Sequence, residues 1–142
     1  MIFLAQSDTT IGFLGKSSLN LNEVKGRDIK QKVLFEVLNF TELKKHVRVV
    51  QKHKNRVRRS RKTTFIYSNQ KACRVVGDGL HSRFLEHFGW LYSSSANPSG
   101  KGFDLEWAMQ KSDVIVSDKR GFLCQSPSKI IKLSKYKIKK IR

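Results

Sequence analysis

Apolar residues in this chain come in short runs broken by polar turns, and their spacing predicts a mixture of strands and short helices. Residues 2–5 form an apolar run suited to a buried strand, residues 6–10 a polar loop, and residues 11–15 a second short segment. A short helix is predicted over 19–25, stopped by Gly26, which puts Lys25 and Arg27 at or just beyond a helix C-terminus. Residues 32–38, rich in Val, Leu and Phe, predict a strand. Asn39 with Glu42 three positions on matches a capping box and predicts a helix that runs into the basic segment beyond it. Two β-favouring runs, 63–67 and 72–76, flank a polar turn at 68–71 and predict a hairpin. Leu80, Phe84, Leu85 and Phe88 keep helical spacing up to Gly89, and a strand follows at 90–92. Beyond a polar corner, the pattern predicts a helix over 104–111, a strand over 113–116, a loop over 121–127 and a strand over 129–133.

Strict alternation of strand and helix fails at the hairpin. The expectation is therefore an α/β chain of the α+β kind, with an open twisted sheet of mixed parallel and antiparallel pairs covered by helices. A length of 142 residues suits one domain over 1–142. Hydrophobic residues at 39% and fourteen aromatics suffice for a core, so global disorder is not expected.

Charge changes the picture most. The formal net charge is +18, which predicts attraction to polyanions, with nucleic acid the leading class. Ten Lys or Arg and no acid fall in the basic segment 44–62, and seven more, again without an acid, in the basic C-terminal segment 129–142. Such runs serve either as solvated surface or as polyanion contacts. Helix-turn-helix, zinc-finger and aromatic RNA-binding signatures are missing, so sequence-specific DNA reading is not predicted. Cys73 and Cys124 stand far apart with no Cys-x-x-Cys, which signals neither a zinc site nor a disulfide framework; both are expected as reduced core thiols. No apolar run approaches the roughly 20 residues of a membrane span and residues 1–5 are too short for a signal core, so a cytoplasmic protein without membrane contact is expected.

Two motifs carry candidate chemistry. Lys25-Gly26-Arg27 pairs a compact point charge with a planar donor fork, suited to a triphosphate or carboxylate if both line one cavity, and to plain surface otherwise. Ser95 and Asn97 alternate around Ala96, so on an extended segment they face one side, ahead of the turn formers Pro98 and Gly100. Hydroxyl and amide there can read an adenine, a ribose or a phosphate, or cap their own turn. Asp8 is open to a metal or a loop-capping role, and His81 to a phosphate contact or to a surface or capping role at a helix start.

Taken in order, these segments resemble the YrdC-like threonylcarbamoyl-adenylate synthase family. The family's Pro-Thr-Asp-Thr-x-Tyr-Gly-Leu segment corresponds to residues 6–13, with Asp8, Thr9 and Gly12 matching. Its Lys-x-Arg is Lys25 and Arg27. A later strand with Arg followed by His resembles Arg74 with His81, its Ser-x-Asn motif is Ser95 and Asn97, and its Pro-Ser-x-Ile ending is Pro127, Ser128 and Ile130. The resemblance covers nearly the whole chain.

It implies a nucleotidyltransferase that joins L-threonine, bicarbonate and ATP into threonylcarbamoyl-adenylate and pyrophosphate, with Mg2+ on the phosphates and no covalent enzyme nucleophile. Lys25, Arg27 and Arg74 are then expected as catalytic electrostatic clamps. Lys25, Arg27, Ser95, Asn97 and Ser128 would contact ATP, while Ser7 and Thr9 line the threonine pocket. The product would pass to a tRNA-modifying transferase complex. The chain departs from the family at Gln6, Ile11, Asp28 and Gln31, and residues 59–62 replace the usual Trp-Pro-Gly-Pro. A second function therefore competes: a YrdC-like module that binds tRNA or other, double-stranded RNA with reduced catalysis.

Overall fold

A computed structural model describes residues 1–142. The backbone divides into two compact units, Met1–Val33 with Leu91–Pro127, and Leu34–Trp90 with Ser128–Arg142.

In the first unit, β1 (Phe3–Gln6) and β2 (Ile11–Gly15) form an antiparallel pair in which Leu4 faces Phe13 and Gln6 faces Ile11. β6 (Trp90–Ser95) joins β2 antiparallel, and β7 (Val114–Val116) joins β1 in parallel. Helix α1 (Ser18–Lys25) starts where the Ser17 side chain accepts from the Asn20 amide at 3.3 Å. It stops at Gly26, whose φ of 68° closes the last turn in a conformation that a side chain disfavours. Helix α5 (Leu105–Lys111) is capped by Asp104, which accepts from the Trp107 amide at 3.1 Å. Ile2, Leu4, Ile11, Phe13, Leu21, Ala96 and Ala108 make the core, with Trp107 set edge-on to Phe13 at 5.7 Å. Each large side chain so buried contributes roughly 1.5–3 kcal/mol.

The second unit has the order β3-β5-β4-β8-β9. β5 (Ala72–Val75) pairs in parallel with β3 (Phe35–Val37) and antiparallel with β4 (Thr63–Ile66), which confirms the predicted hairpin. β8 (Lys129–Leu133) lies parallel to β4, and β9 (Ile138–Lys140) folds back antiparallel on β8. Helix α4 (Leu80–Leu85) ends in a turn closed by Gly89, whose amide donates to Leu85 O at 2.9 Å and whose φ is 75°. The expected mixture of parallel and antiparallel pairs is present in both units.

Three expectations change. The strand predicted over 32–38 forms only at β3. The helix begun by Asn39 is a single turn, α2 (Phe40–Leu43), because Val47 and Val49 bury alternately around exposed Arg48, a strand-like pattern that the β-branched valines favour over helix. The basic run resumes as a 3-10 turn, Gln51–His53, and helix α3 (Lys54–Arg59). Cys73 is a buried free thiol as expected, but Cys124 is exposed in the loop after β7. No helix is long and apolar enough to cross a membrane.

Candidate functional site

The buried face of α1 carries Leu21, Asn22 and Lys25, so a lysine and an amide go inside with a leucine. Lys25 is only 5% exposed. Its Nζ donates to Ser95 O at 2.5 Å and Asn97 O at 2.7 Å, with Ser95 Oγ and Asn97 Oδ1 at 3.4 and 3.3 Å. The Ser99 amide donates back to Lys25 O at 3.1 Å, stitching the end of α1 to the corner after β6. Gly12 lies against this corner, where a Cβ would meet Ser94 O at 3.2 Å.

Arg27 is fixed beside it. Its Nε donates to Asn22 Oδ1 at 2.6 Å and its Nη2 to Ser94 Oγ at 3.3 Å. Fully buried Asn22 in turn donates through Nδ2 to Ile29 O and Gln31 O, at 3.0 and 2.8 Å, and so holds the loop after the helix. Burial, and then the Arg27 charge, push the Lys25 pKa down to about 8; burial also lowers that of Arg27. Both cations are hydrogen-bonded to neutral oxygens, so the cluster carries positive charge that an anion would complete. The same donor set rejects a metal cation.

Lys25, Arg27, Ser95 and Asn97 are thus brought together as the motifs suggested. The Asn97 amide is also engaged locally, Nδ2 donating to Pro98 O at 2.9 Å and Lys101 O at 2.7 Å. The turn-capping reading of Asn97 is the one seen: its nitrogen closes the turn while its oxygen faces the Lys25 ammonium.

Ser7 and Thr9 lie buried in the β1–β2 turn. Ser7 Oγ donates to Thr10 O at 2.6 Å, accepts from the Thr9 amide at 3.1 Å and lies 3.2 Å from Thr9 Oγ1. Asp8, half-buried, occupies the tip of this turn. Arg120 clamps its backbone, Nη1 to Ser7 O at 3.2 Å and Nη2 to Gln6 O at 2.9 Å, while an Asp118 bond at 2.6 Å holds the guanidinium in place. Gln6 accepts through Oε1 from the Leu123 amide at 2.7 Å.

In the second unit, Glu36 of β3 is completely buried between two bases. Arg74, its register partner on β5, donates to Oε2, and His81 Nε2 lies 2.6 Å from Oε1. His81 is 3% exposed with Nδ1 unpartnered, which corrects its expected surface or capping role. Capping falls to Ser82, whose Oγ accepts from the Gly79 amide at 3.0 Å and donates to Gly79 O at 2.8 Å. Arg74 accordingly sits in a buried ion pair. Ser128 is buried against Thr64, hydroxyl to hydroxyl at 2.7 Å, and its carbonyl accepts from Arg142 Nε at 3.0 Å.

The sequence reading missed Asn22, Glu36 and Arg120. Asn22 had a signal, since it shares the inward helix face with Leu21 and Lys25. Glu36 had a weaker one, a lone acid in an apolar strand. For Arg120, one basic residue among 29, there was none.

No protein-family model matches the chain, and no curated protein sequence does. Solved structures do. P. abyssi Sua5 superposes with a TM-score of 0.79 at 16% identity, over 99% of this chain and 52% of that one. Its complex with L-threonine gives 0.78 at 15% identity, over 99% and 49%. E. coli YciO gives 0.78 at 15% identity, over 99% and 82%. At these identities the likeness defines a fold: the chain has the YrdC-like α+β fold. It spans about half the length of the Sua5 chains.

Proposed function

We propose that the chain is an L-threonylcarbamoyl-adenylate synthase, using L-threonine, bicarbonate and ATP and releasing pyrophosphate. The observation that carries this reading is the pair of buried Lys25 and half-buried Arg27, held by neutral oxygens of Ser94, Ser95, Asn97 and Asn22. Two fixed positive charges at a polar corner are what a polyphosphate needs. The L-threonine complex of the similar Sua5 structure supports threonine as the amino-acid substrate.

In the reaction, the threonine amine and bicarbonate condense with loss of water to a carbamate, which presents an oxygen to the α-phosphorus. The new P–O bond forms as the bond to the β-phosphate breaks, and pyrophosphate leaves with the electron pair. Lys25 and Arg27 neutralise charge on the phosphate oxygens, and their prior fixation avoids reorganisation during the step. Ser95 and Asn97 are assigned to the nucleotide, and Ser7 with Thr9 to the threonine side. Bound magnesium would supply further charge neutralisation on the phosphates. It would arrive with the nucleotide, since the Lys25 and Arg27 cluster is itself cationic.

The test is pyrophosphate release by purified protein with ATP, magnesium and bicarbonate, with and without L-threonine. Release should require threonine and vanish in Lys25→Ala and Asn97→Ala proteins that still fold. Release unchanged by either substitution would overturn the assignment.

A further inference from the structure

The two basic runs of the sequence meet in the second unit. Parallel pairing sets Thr63 opposite Lys129, and the 3-10 turn is tied to the residues after β8 by His53 Nε2 to Ser134 O at 2.8 Å and Lys52 Nζ to Tyr136 O at 3.3 Å. Between them runs a groove of about 1100 Å³. Its cations are Lys44, Lys45, Arg48 and Lys54 from the first run and Lys135 from the second, and no carboxylate lines it. Glu42, close by in sequence, is held by Lys45 at 2.9 Å and His46 at 3.2 Å. The volume exceeds the roughly 300–1,000 Å³ of small-molecule clefts.

Tyr67 forms part of the groove wall at 3% exposure. Next to Lys135, Tyr136 is 70% exposed, with the Lys135 ammonium 5.3 Å from its ring centroid. An exposed aromatic beside a basic groove offers a stacking platform for an unpaired base, which a closed duplex cannot use.

We propose that this groove binds the backbone of single-stranded RNA, with the five cations on phosphates and Tyr136 against a base. An acidic protein would satisfy the charge but not the stacking platform. The inference does not rest on the synthase reading, because none of these residues belongs to the Lys25 cluster.

The test is fluorescence anisotropy of the full chain with a labelled, unstructured 15-nucleotide RNA (about 15 phosphates, with roughly five expected in the groove). Five single-strand phosphate contacts predict a slope of about −3.5 in log affinity against log salt, or about a hundredfold loss between about 50 and about 200 mM. Replacing Lys44, Lys54 and Lys135 by Ala should flatten that slope by about 2. Tyr136→Ala should weaken binding at every salt concentration. A charge-matched protein with Ala at exposed Arg59, Lys62 and Lys139, outside the groove, should bind nearly as the parent does. Equal loss in the two triple variants would overturn the groove as the site. So would displacement of the RNA by polyglutamate of equal charge at equal concentration. Circular dichroism on each variant, together with the single substitution Tyr136→Ala at an exposed side chain, separates lost binding from lost folding.

Discussion

Raising the pH from 7 to 9 should weaken ATP binding through one group, Lys25. Its pKa of about 8 in the unliganded fold leaves the ammonium about nine-tenths protonated at pH 7 and about one-tenth at pH 9. If the protonated form alone holds the phosphate, affinity falls roughly tenfold across that interval. An ordinary lysine, near 10.4, would give almost no change. Bound phosphate raises the lysine pKa again, so near pH 8 binding should take up about half a proton, visible as a dependence of the calorimetric heat on buffer ionisation enthalpy. The assay is titration calorimetry with ATP at fixed ionic strength, in two buffers, on parent and Lys25→Met proteins. Stability moves the other way. The depressed pKa means that the ammonium costs stability below pH 8, and this cost is relieved as pH rises from about 8 towards 10.5, by of order 3 kcal/mol at most. Cys73 and Tyr67 oppose it, since burial raises both and the unfolded chain loses those protons first. The Lys25 contribution is therefore the difference between parent and Lys25→Met. A flat affinity profile, or one shared by Lys25→Met, would refute the argument.

Other perturbations test the supporting structure. Glu36→Gln leaves Arg74 buried without its countercharge and should cost about 3–5 kcal/mol in urea denaturation; a loss under about 1 kcal/mol would show that other groups hold the arginine. Asn22→Ala removes the amide that ties Ile29, Gln31 and Arg27, and should cost roughly 1–3 kcal/mol while also weakening ATP binding; stability lost with affinity intact would detach Arg27 from the nucleotide. A thiol reagent should label Cys124 at once and Cys73 only on unfolding, because burial holds the Cys73 thiol protonated; two fast thiols would contradict the packing of β5.

Where local chemistry decides, the sequence was a sufficient guide. Gly26 ends α1 because of its backbone freedom, Asn39 and Asp104 begin helices because their side chains accept from amides three residues on, and the hairpin follows from two β-branched runs around a polar turn. Long-range partners decide the rest. β9 resembles a charged tail, and all its residues are exposed; what makes it a strand is the backbone ladder to β8, from Ile131 opposite Lys140 to Leu133 opposite Ile138. His81 carried no mark of burial, since its partner Glu36 lies 45 residues away. The cation and corner motifs were legible because each is compact; their contact, Lys25 with Ser95 and Asn97, depends on α1 packing beside β2 and β6.

The most direct test of the synthase reading is the product itself. Incubation with ATP, magnesium, L-threonine and ¹³C-bicarbonate, followed at once by mass spectrometry, should reveal threonylcarbamoyl-adenylate carrying the heavy carbon. The signal should be lost without threonine and lost in Lys25→Ala. ATP binding by a folded protein that forms no labelled adenylate would contradict the account.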